Sequence, residues 1–134
     1  MIVADTNLLV YAMTYGPHRE LAQSVLRKDP EWHAPTLWRS EFRSALAGYL
    51  RAEAMSYEEI LEAIDKTEFF MAGKEHSVDS TAVMRLVADS TSSAYDCEFV
   101  ALANHLNAPL VTSDSRLLRD FPNRAFAPDR FLAA

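Results

Sequence analysis

Apolar positions follow two rhythms along this chain. Ile2-Val3-Ala4 and Leu110-Val111 are short continuous runs of the kind a buried strand shows, while longer stretches repeat every three or four residues as one face of a helix does. After the first run, Asp5-Thr6-Asn7 offers capping side chains to a short helix through Tyr11, which Gly16-Pro17 breaks. A second helix runs from Pro17 or His18 to Lys28, Asp29-Pro30 stops it, and Trp32-His33-Ala34 forms a weak strand.

Residues 36 to 53 read as a long helix. Ser56-Tyr57-Glu58-Glu59 has the form of a capping box and opens another helix to Phe70, ended by Gly73. Helices over 79 to 89 and 95 to 106 follow, separated by the polar turn Ser90-Thr91-Ser92-Ser93. Pro109 starts a strand, a short helix follows Asp114 until Phe121-Pro122-Asn123, and a last strand covers 124 to 127. The sum is helices around a small, mostly parallel sheet. No repeat, linker or low-complexity tract divides the chain, although a helical hairpin over 55 to 75 could stand off the sheet.

Composition narrows the function classes. The 134 residues, 49% hydrophobic and 24% charged, suit one globular domain with a single core. A net charge of −6 does not suggest a nucleic-acid binder, yet the basic residues are ten Arg against three Lys, and Arg suits phosphate. Cys97 is the only cysteine, so no internal disulfide can form. Nothing resembles a leader or a membrane span, and the expectation is a cytoplasmic protein. The histidines, His18, His33, His76 and His105, never pair at helical spacing, which disfavours zinc.

The acidic residues carry the chemistry. Asp5 and Asp114 each follow a strand and precede a helix, where either alone reads as an N-cap. In an open parallel sheet, however, ligands bind beyond the carboxyl ends of the strands, and both aspartates fall there. Asp96, in the Ser-x-x-Asp form after Ser93, turns toward Phe99, Val100 and Ala103. Glu41 lies mid-helix beside the Trp38, Phe42, Ala45, Tyr49 stripe, where no cap explains it, and Arg39 and Arg43 project away from it. Four inward carboxylates without cations raise one another's pKa and oppose folding near neutral pH. One or two divalent ions reverse this; oxygen-only ligands suit Mg²⁺ or Mn²⁺, and phosphodiester hydrolysis is the matching reaction.

Asp5-Thr6-Asn7 after an N-terminal strand, Glu41 within a helix, Ser93-Ala94-Tyr95-Asp96 leading into Phe99-Val100-Ala101-Leu102-Ala103, and Leu110-Val111-Thr112-Ser113-Asp114 together resemble a PIN domain. The resemblance spans essentially the whole chain, 1 to 134, and is strongest to the compact VapC-type toxins of toxin-antitoxin pairs. It implies a three-layer α/β/α fold and a Mg²⁺- or Mn²⁺-dependent endoribonuclease whose catalytic and metal-binding acids are Asp5, Glu41, Asp96 and Asp114. Thr6, Asn7, Thr112 and Ser113 would flank the metal, orienting carboxylates or binding water or phosphate, with helix capping as their other role. It further implies an RNA substrate, a homodimer, and a small VapB-like antitoxin laid along an apolar groove. Leu8, Leu9, Tyr11, Leu21, Ile60, Ile64 and Phe69 are candidates to line that groove or the dimer contact, or to be core.

Two other readings remain. A PIN nuclease of RNA processing or of structured DNA would use the same acids. A phosphotransfer domain also places acids at strand ends, but Asp5-Thr6-Asn7 lacks a second aspartate and no Lys occurs after Lys74.

Overall fold

The computed structural model describes all residues, 1 to 134. Five strands form one all-parallel sheet in the order β3-β2-β1-β4-β5. They are β1 (Ile2–Ala4), β2 (Trp32–Pro35), β3 (Glu75–His76), β4 (Leu110–Val111) and β5 (Ala125–Phe126). The helices are α1 (Thr6–Met13), α2 (Arg19–Lys28), α3 (Trp38–Arg51), α4 (Tyr57–Met71), α5 (Ser80–Ala88), α6 (Ala94–Leu106), α7 (Ser115–Asp120) and α8 (Pro128–Ala133). The sheet is therefore wholly parallel rather than mostly so, because every connection carries a helix.

Two elements escaped the sequence reading. β3 has two polar residues, too few to show alternation, and joins β2 through Ala34 N–H to the Lys74 carbonyl and Thr36 N–H to the His76 carbonyl. α8 begins with Pro128 at its first turn, a helix-start signal present in the sequence. The capping box of α4 forms as expected, with Ser56 Oγ accepting from Glu59 N–H and Glu59 accepting from Ser56 N–H. Gly73 ends that stretch at φ +79°, a conformation that favours glycine.

The sheet is the middle of three layers. α6 lies against β1, β2 and β4 with α5 packed on it, while α1 gathers α2, α3 and α4. The core is continuous: Ile2, Val3, Leu9, Trp32, Trp38, Phe42, Leu46, Leu102 and Leu110 are fully buried. α4 buries Ile60, Ala63, Thr67 and Met71 against this body, so the 55 to 75 segment does not stand off. Leu8, Leu9 and Ile60 are core and cannot line a groove, whereas Phe69 is 86% exposed. No helix is long and apolar enough to cross a membrane.

The strand order places the site. The chain builds outward from β1 to β2 and β3, then returns through α6 to add β4 and β5 on the other side. The reversal falls between β1 and β4, and a crevice opens there at the strands' carboxyl ends. Asp5 directly follows β1, and Thr112-Ser113-Asp114 directly follows β4.

Candidate active site

At that crevice lies an open cavity of about 370 Å³ lined by Asp5, Thr6, Asn7, Glu41, Ser44, Ala45, Asp96, Phe99, Asp114 and Leu117. Each acid arrives on a different element. Asp5 and Asp114 are the N-caps of α1 and α7, and each accepts a backbone N–H with one oxygen, from Leu8 at 2.8 Å and from Leu117 at 3.0 Å. Capping and lining the cavity are thus compatible, since a carboxylate has lone pairs for both. Glu41 comes from the first turn of α3 rather than its middle, since that helix starts only at Trp38, and Asp96 comes from the first turn of α6, whose start Ser93 caps by accepting from Asp96 N–H. The Asp96 side chain does not complete a capping box, which leaves its carboxylate to the cavity.

Two threonines hold carboxylates in place. Thr6 Oγ1 donates to Glu41 at 2.8 Å. Thr112 Oγ1 accepts the Asp114 N–H at 3.0 Å and donates to Asp5 at 2.5 Å, tying the ends of β1 and β4 together. Asn7 lines the cavity without such a bond, and Ser113 is exposed and outside the lining. Ser44, one turn beyond Glu41 on α3, was missed; its i, i+3 spacing from Glu41 was the available signal.

The electrostatics are those of a site short of positive charge. Burial pushes Asp5 up to about 6; Asp114 and Glu41 add to this, while the bonds from Thr112 and Leu8 oppose it. Burial also raises Glu41, helped by Asp96 and Glu98, and raises Asp96, helped by Asp114. None of the four carboxylates forms an ion pair with Lys, Arg or His. No three His, Cys, Asp or Glu side chains close on one point to form a metal cage. The acidic side chains that line the cavity offer oxygen alone, a donor chemistry that suits a hard divalent cation better than zinc.

A PIN domain model matches residues 2–122, and the chain belongs to the PIN domain family. PIN domains are in general nucleases that need divalent metal ions. No curated protein matches the sequence. Among solved structures, FitAcB from Neisseria gonorrhoeae is similar with a TM-score of 0.75 at 16% identity, covering 96% of this chain and 98% of that one. PAE2754 from Pyrobaculum aerophilum gives 0.76 at 16% identity, covering 98% and 93%. A toxin-antitoxin complex from Klebsiella pneumoniae gives 0.71 at 14% identity, covering 96% and 98%. At these identities the likeness is one of fold.

Proposed function

We propose that this PIN domain is a Mg²⁺- or Mn²⁺-dependent endoribonuclease and the toxin of a toxin-antitoxin pair. The observation that carries the reading is the set of four carboxylates, free of ion pairs, lining one cavity at the switch point of a parallel sheet. Family membership supplies the reaction class, and the likeness to a toxin-antitoxin complex of nearly equal chain length supports the toxin role.

Asp5, Asp96, Glu41 and Asp114 would hold the ion or ions, which when bound supply charge neutralisation at the phosphate and an acidified water for in-line attack. The chain's own contribution is positioning. Thr112 fixes Asp5 and Thr6 fixes Glu41, so neither carboxylate has to reorganise when substrate arrives. Burial raises both Asp5 and Glu41, so a bound cation, which favours their ionised form, would relieve the cost of keeping them charged in the cavity. No side chain acts as a nucleophile. The antitoxin and the homodimer belong to this reading through the family resemblance, and a groove lined by Tyr11, Thr14, Tyr15, Tyr49 and Met55 offers the antitoxin a seat.

The test is cleavage of a panel of structured and unstructured RNAs by the purified protein with Mg²⁺, Mn²⁺ or EDTA, alongside Asp5→Asn and Asp96→Asn. Cleavage should require the ion and fall at least 100-fold in each variant. Cutting in EDTA, or full activity in both variants, overturns the mechanism.

A further inference from the structure

One cation bridges the two elements that carry Asp114 and Asp96. Arg116 lies between Asp114 and Leu117, both of which line the cavity, and its Nη1 donates to the Thr91 carbonyl at 3.2 Å. That carbonyl is itself held. Asp120, in the last turn of α7, accepts from Thr91 N–H at 2.9 Å, Thr91 Oγ1 at 2.7 Å and Ser92 Oγ at 2.9 Å. The α5–α6 loop is thereby tied to α7, and Ser93, the next residue, caps the helix that presents Asp96.

Arg116 forms no ion pair, so this anchoring uses one of its five N–H donors and leaves a planar fork on an exposed side chain. Three other arginines are engaged elsewhere: Arg39 binds Glu75 and Glu68, Arg27 binds Glu20, and Arg124 binds at the end of α6 through Asn104, Asn107 and Ala108. A chain of net charge −6 that binds a polyanion needs a positive contact near its acids.

We propose that Arg116, held by the Asp120-fastened loop, is the residue that grips a backbone phosphate of single-stranded RNA next to the one cleaved. This rests on the ribonuclease reading, and its test separates the two. Anisotropy of a fluorescein-labelled, mixed-sequence single-stranded RNA is measured against salt, with Ca²⁺ present, for the wild type, Arg116→Ala, Arg116→Lys and Arg43→Ala. Arg116→Ala should weaken binding about tenfold and reduce the slope of log affinity against log salt by about 0.7. Arg116→Lys should keep the slope, and Arg43→Ala, on a helix face turned from Glu41, should match the wild type. A purely structural role for Arg116 would move the melting temperature and leave the slope unchanged.

An unchanged slope and affinity in Arg116→Ala, from a wild type that cuts RNA, overturns this proposal and spares the ribonuclease reading. An Arg116-dependent slope in a wild type that cuts no RNA with any ion does the reverse. A wild type that does not bind RNA overturns both.

Discussion

Asp5 concentrates the tension of the site in one side chain. Its carboxyl titrates at about 6 in the folded protein against an ordinary 3.8. Between those values the folded chain holds a proton that the unfolded chain has released, so in EDTA this group's contribution to stability falls as pH rises through the window and stays low above it. The open cavity admits solvent, and the loss is on the order of 1–2 kcal/mol. Thermal melting in EDTA should show Asp5→Asn gaining on the wild type between about pH 4 and about pH 6 and levelling off above that, with Asn still able to cap α1. If the difference between the two proteins is flat with pH, Asp5 is not raised. Thr112 offers a sharper contrast with its neighbour. Thr112→Val removes the donor to Asp5 and the acceptor for Asp114, and RNA cleavage should fall about 10–100-fold, whereas Ser113→Ala should leave the rate unchanged. At this scale the four acids could be named in the sequence because their spacing from strands and apolar helix faces was visible. Thr112 and Ser113 could not be told apart, because two adjacent polar residues after a strand look alike until the backbone turns one inward, and here Thr112 is buried and Ser113 exposed. Ser44 was invisible because a serine mid-helix carries no mark of what it faces.

Helices with caps and strands with apolar runs were legible; elements held by distant side chains were not. β3 illustrates the second kind. Its Glu75 accepts from Trp38 Nε1 at 2.7 Å and from Arg39 at 2.6 and 2.9 Å, and Arg39 also reaches Glu68 on α4 at 3.1 Å. Arg39 holds the Glu75 carboxyl below its ordinary value. The two-residue strand is fastened to α3, whose Trp38 and Arg39 hold its one carboxylate while Arg39 also pairs with Glu68 of α4, a link no local pattern encodes. The comparison with a locally encoded device is measurable by denaturant unfolding. Glu75→Ala strips the Trp38 indole and the Arg39 guanidinium of their partner and should cost about 2–3 kcal/mol. Ser56→Ala removes half of an exposed capping box and should cost about 1 kcal/mol. An order reversed between the two would mean that β3 is held by its ladder alone. The histidines tell the same story: His33 and His76, far apart in sequence, place ring nitrogens 2.8 Å apart because β2 and β3 are neighbours.

The whole molecule was legible as a class: one core, helices about a parallel sheet, acids at strand ends. Its strand order was not, since nothing local says that β1 sits in the middle. That position has a consequence in time. β1 is made first, but one of its two neighbours, β4, begins at Leu110, and the hydroxyl that fixes Asp5 belongs to Thr112. At a synthesis rate of about 5–20 residues per second, the first strand waits for several seconds with one edge open. During that wait Asp114 does not yet exist and Asp5 has no donor from Thr112. The four-carboxylate cavity is therefore completed only near the end of synthesis, when β4, Thr112 and Asp114 have emerged and closed on a strand made long before them.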